Sequence, residues 1–267
     1  WFIGYHGWAH VEAGNAELGA PMIESSLAKY RANGNAAHAR AHAFYELGQV
    51  RAGMDFLESW LPDYSQGGTL HPHLSWHLAL FALREGHLED AANLFNERFK
   101  PSLGKQPPFF SIVDSGSFNW RCRLRNIERS EKDLEEVADY ASEHFAKPGI
   151  GFANVHAAYA WAAAGKNDAL DRHVRQLRGL TRAAGHPSAL IVYLICLGIL
   201  RISEGDYSGG ARYIEQALPE LARIGGSHAQ RDGVIETLIY ACLRTSQPEK
   251  AEAILASRLG LQAVWNG

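Results

Sequence analysis

His38, His42 and Glu46 stand at i, i+4 and i+8, the spacing that projects three side chains from one face of a helix. Two imidazoles four residues apart can chelate one divalent ion, and a carboxylate one turn further on can ligate it or take a proton. His73 and His77 repeat the interval. His77 and His156 each lie nine residues before a glycine, Gly86 and Gly165, and so occupy equivalent places in a repeating pattern. His228 follows Gly225-Gly226-Ser227. There a glycine can stop one helix, and Ser227 with Gln230 three residues later forms a capping box that starts another. Backbone N–H groups at such a start favour an anion. Arg231 and Asp232 are neighbours, about 100° apart on a helix, and each needs its own partner.

These residues give a candidate site. His38, His42 and His77 are the expected ligands of a divalent metal, zinc, manganese or iron. Glu46, His156, His228 and Arg231 are the candidates for chemistry, and His73, Asp114 and Asp232 join them as ligand-binding positions. Plainer readings stand beside these. A histidine pair at i, i+4 is often two polar residues on one helix face. Asp114, ahead of Ser115 and Ser117, reads equally as an N-cap, and His73 beside Pro72 as a first-turn residue. Trp76 and Trp120 read as packing residues. Arg121, Arg123 and Arg125, alternating with Cys122 and Leu124, read as a helix turn with a solvated side.

The elements that must position these groups follow from an internal repeat. Gly14, Gly48, Gly86, Gly165, Gly205 and Ser246 punctuate helical segments at gaps of 34, 38, 79, 40 and 41 residues. A small residue follows five positions later at Gly19, Gly53, Ala91, Gly210 and Ala251, although Leu170 breaks that rule. The gap of 79 fits two units, with a degenerate turn at 128–130 between helices 114–127 and 131–145. Segments 62–72, 100–108, 146–151 and 185–188 are the expected loops. The predicted fold is all-α: one domain over 1–267, built as a right-handed α-solenoid of antiparallel helix hairpins. Its first helices line the concave face and carry most of the histidines.

Punctuation of this period resembles the tetratricopeptide repeat. Longer stretches sharpen the likeness: AHARAHAFYELG at 37–48, HLSWHLALF at 73–81, VDS at 113–115, NWR at 119–121, FANVH at 152–156, GDY at 205–207 and IGGSHAQRD at 224–232. Together these resemble the tetratricopeptide repeat protein 38 family over nearly the whole chain. Asn154 stands where that family carries an acidic residue. The resemblance implies the fold and a chain longer at its N-terminus, and implies no particular activity.

Composition removes several classes. A net charge of −3 provides no basic field for nucleic acid. Cys122, Cys196 and Cys242 lack metal-ligand spacing and read as buried, reduced thiols of a cytoplasmic protein. The longest apolar run, 189–200, is too short for a membrane span. Phosphate-binding, dinucleotide and nucleophile-elbow motifs are absent. Two functions remain. The first is binding of a small polar molecule or a protein segment in a histidine-rich concave pocket. The alternative is a metal-dependent hydrolase or lyase acting on a small molecule there. The apolar, aromatic stretch 1–10 calls for a cover, either preceding sequence or a second subunit of a homo-oligomer.

Overall fold

The computed structural model describes residues 1–182 and 188–258, and every regular element in them is helical. Fourteen α-helices occur among these residues: α1 (Phe2–Glu12), α2 (Ala16–Lys29), α3 (Gly34–Glu46), α4 (Val50–Trp60), α5 (His71–Glu85), α6 (Leu88–Leu94), α7 (Pro108–Leu124), α8 (Glu131–Phe145), α9 (Gly151–Ala163), α10 (Asn167–Leu180), α11 (Ala189–Ser203), α12 (Tyr207–Ala217), α13 (His228–Arg244) and α14 (Pro248–Ala256). The chain falls into two compact units. One is Trp1–Gln106 with the described residues from Ala256 onward; the other is Pro107–Leu255.

A single turn chemistry organises both units. Gly14, Gly48, Gly86, Gly165, Gly205 and Ser246 all have positive φ, and so does Asn126 at 55°. The residue after each one donates its backbone N–H to the carbonyl five positions earlier, at 2.8–2.9 Å, as in Asn15 to His10 and Ile127 to Cys122. This bond closes a Schellman turn and satisfies a carbonyl left over at the helix end. Asn126 divides the gap of 79 into 40 and 39. The degenerate turn is therefore at 126, slightly before the expected 128–130, and lacks the glycine signature because asparagine is the other residue that tolerates this conformation.

The helix expected over 114–127 begins six residues earlier, because Pro108 sits in its first turn, where a missing N–H costs nothing. Asp114 is consequently inside α7 and not an N-cap. Segments 62–72 and 100–108 contain short 3-10 turns, Leu61–Asp63 and Pro101–Leu103. Of the expected loop 185–188, residues 185–187 lie outside the described residues. The capping box at Ser227 and Gln230 forms as the sequence implies and opens α13.

Burial separates the helices into two kinds. In α5 every residue from His71 to Leu83 is buried, and α9 is buried from Phe152 to Ala163. By contrast α10 buries only His173 and the Leu170, Val174 and Leu177 stripe, at i, i+4 and i+7. Each buried Leu or Val side chain contributes about 1.5–3 kcal/mol by leaving water. Close backbone approach depends on glycine pairs. A Cβ on Gly19 would fall 2.3 Å from the Gly7 carbonyl oxygen, and one on Gly210 would fall 2.7 Å from that of Gly198. No helix among the described residues is long and apolar enough to cross a membrane.

Candidate metal centre

In the first unit α3 carries alanine at 36, 37, 39, 41 and 43, all buried, so the neighbouring helices pack close to its axis. That closeness brings His38 and His42 of α3 against His73 and His77 of α5. One nitrogen from each ring lies within 4.8 Å of one nitrogen from every other. His38 Nε2 is 2.9 Å from His42 Nε2 and 3.1 Å from His73 Nε2. The His77 ring centroid lies 4.6 Å from that of His42 and 4.9 Å from that of His73. Trp76 stacks on His73 at 5.2 Å with its plane tilted by only 12°, which fixes that ring's orientation. His42 and His77 are fully buried, whereas His38 keeps part of its surface in solvent.

Sequence reasoning missed one member of this site. Glu12, the last residue of α1, places Oε1 3.1 Å from His42 Nδ1. At that distance the carboxylate places negative charge beside the ring without an aligned hydrogen bond to Nδ1, so it does not by itself fix the tautomer. Trp8, one turn earlier on α1, lies 6.1 and 6.2 Å from the His38 and His42 rings. The only available signal was Trp8 and Glu12 at i, i+4, which is uninformative until α1 is packed on α3.

The contacts cannot all be satisfied by protons. A neutral imidazole has one N–H and one in-plane lone pair. His38 Nε2 carries either one proton or one lone pair, so it cannot make aligned hydrogen bonds to both His42 and His73. Burial first, and the proximity of His42 and His73 second, hold the His38 pKa well below its ordinary value and keep the ring neutral. Convergent neutral lone pairs are the donor set of a divalent transition metal. Bonds of about 2.1 Å would put tetrahedral donors about 3.4 Å apart, within the range spanned here. The four histidines can therefore hold a metal ion.

Glu46 sits elsewhere in the first unit's bonding. Its two oxygens accept from Arg258 Nη1 and Nη2 at 3.0 and 3.2 Å, a bidentate ion pair. No family model matches the chain.

The remaining candidates belong to the second unit. Asp114 and Arg121 on α7, His156 on α9 and Asp232 on α13 are each at most 2% exposed. Arg121 is a buried ion-pair residue, contrary to the solvated helix face expected for the arginine triplet; only Arg123 of the three is exposed. Arg121 Nε donates to Glu236 Oε1 at 3.0 Å, Nη2 donates to the Ala229 carbonyl at 2.7 Å, and Nη1 donates to Ser117. Arg125 reaches the other Glu236 oxygen at 2.9 Å. Glu236 was not anticipated, because it lies 115 residues from Arg121 and marks no motif. Trp120 donates its indole N–H to Thr237 at 2.8 Å, a packing residue with its polar atom satisfied.

His156 has a defined tautomer. Nδ1 lies 2.8 Å from the Phe152 carbonyl, so Nδ1 carries the proton and Nε2 presents a lone pair. Nε2 is buried without a hydrogen-bond partner among the described residues. Burial, countered by the Phe152 bond and reinforced by Arg121, lowers the pKa to about 4. His228 is the first residue of α13 and partly exposed, while Arg231 folds back on the Gly226 carbonyl. Asn154 holds the N–H of Gly149 through its side-chain oxygen at 3.3 Å, a local structural bond.

Proposed function

We propose that this chain is a tetratricopeptide-like helical repeat protein that binds a divalent transition-metal ion through His38, His42, His73 and His77 and uses it to hold a small polar ligand. The convergence of four imidazoles, with Glu12 behind one of them, carries this reading. The seven repeated Schellman turns support the proposed likeness to tetratricopeptide repeats and to the tetratricopeptide repeat protein 38 family, with hairpins stacked right-handed. The burial of α5 and α9 supports an inner position for the first helix of each pair.

An all-imidazole set suits zinc or iron better than manganese, which prefers carboxylate oxygen. The identity of the ion bears on function. Four protein ligands close a tetrahedral zinc and make it a structural rivet, whereas six-coordinate iron keeps two positions for a ligand. The second reading, a metal-dependent hydrolase or lyase, needs those open positions. There the metal would polarise an oxygen of the substrate.

Elemental analysis of the protein purified without a histidine tag tests the proposal. One equivalent of metal, lost in His42→Ala and His77→Ala, is expected; iron would support a ligand-holding centre, whereas zinc would keep the metal site and make it structural. A folded, metal-free protein that takes up neither ion would overturn it.

A further inference from the structure

A cavity of about 480 Å³ opens in the second unit beside the Asn126 turn, bounded by Arg123, Arg129, Tyr207, Tyr240 and Arg244. Three arginines thus line one hollow, and their pairing differs. Arg129 is neutralised by Asp133 at 3.3 Å. Arg123 and Arg244 have no carboxylate partner among the described residues. Glu128, also on the wall, is the one acidic side chain lining the hollow among the described residues.

Arg244 is held in place without being neutralised. Its guanidinium lies 4.5 Å from the Tyr207 ring centroid, and Nη1 donates to the Tyr240 hydroxyl at 3.1 Å. The two tyrosines meet edge to face at 5.9 Å. Stacking of this kind restrains the planar fork while leaving most of its five N–H groups for a ligand. Burial and the neighbouring Tyr207 keep the Tyr240 phenol above its ordinary pKa, so the hydroxyl that accepts from Arg244 is neutral.

We propose that this hollow binds a small phosphate monoester. Its dianionic phosphate would be taken by Arg244 and Arg123, and its organic part would lie along the tyrosines. Bidentate guanidinium contacts match phosphate geometry, and the volume falls in the range of small-molecule pockets, well beyond a bare phosphate. Unlike the proposed metal site, this one needs no ion and lies within the second unit alone.

Titration of the full chain with phenyl phosphate and with inorganic phosphate, followed by calorimetry, tests the assignment, with sulfate as the control anion. Saturable one-to-one binding of phenyl phosphate, tighter than that of inorganic phosphate, is expected. Arg244→Ala and Arg123→Ala should each weaken it about tenfold or more, the loss of one charge-assisted contact. Glu128→Gln should tighten it severalfold by removing a like charge. All three positions are on or near the surface, and an unchanged circular dichroism spectrum would show that each variant is folded. Absence of saturation, equal binding of sulfate, or undiminished affinity in Arg244→Ala would overturn the proposal.

Discussion

Glu12 Oε1 lies 3.1 Å from His42 Nδ1, while Nε2 of the same ring lies 2.9 Å from His38 Nε2. One imidazole therefore lies between a carboxylate and the other histidines of the cluster. Such outer partners typically contribute 10–100-fold to metal affinity. Glu12→Gln, which keeps shape and loses charge, should weaken zinc binding by about that factor in a chelator competition, with the helical spectrum unchanged. Undiminished affinity would show that Glu12 does not orient the ligand.

Metal binding should appear as stability. At a hundredfold excess over Kd a ligand adds about 2.7 kcal/mol, which raises the melting temperature of a chain this size by roughly 5 °C or more. The wild type should show this shift with zinc or ferrous ion, and His77→Ala should not.

The buried pair Arg121–Glu236 makes a different prediction. Both side chains are 2% exposed. Removing one partner leaves an uncompensated buried charge and costs about 3–5 kcal/mol. Glu236→Ala should be destabilised by this amount in urea unfolding. The double replacement Arg121→Met with Glu236→Leu should lose less than the sum of the two single changes. Additivity would mean that the two groups do not act as a pair.

Two neutral imidazoles predict acid sensitivity. Burial lowers the pKa of His156 and of His173 to about 4, against 6.5 when unfolded. Below 6.5 the unfolded chain takes up protons that the folded protein refuses. Stability is thus fully present above pH 6.5 and is lost as pH falls toward 4, on the order of 3 kcal/mol for each fully buried ring. Urea midpoints at pH 7 and pH 5 measure the loss. His156→Gln should make the dependence shallower, and an unchanged slope would show that the ring is not held neutral.

The Schellman turns predict a gain. Ser246 adopts φ 56° where five other turns use glycine. A left-handed residue with a Cβ costs about 1–2 kcal/mol, partly offset by the greater freedom of glycine when unfolded. Ser246→Gly should stabilise the protein by roughly 0.5–1 kcal/mol, read from the urea midpoint.

The repeat, the helix pairs and the shared face of His38 and His42 were legible in the sequence, because each is a matter of spacing along one helix or of the residue that can end it. Asn126 hid one turn only because its backbone freedom is weaker than that of glycine. What joins α1 to α3, or α7 to α13, has no period along the chain. Glu12 as the carboxylate at His42, Glu236 as the partner of Arg121, and Arg258 as the partner of Glu46 were decided by packing in three dimensions. A buried charge takes whichever opposite charge the neighbouring backbone brings within reach, and no local rule encodes that distance.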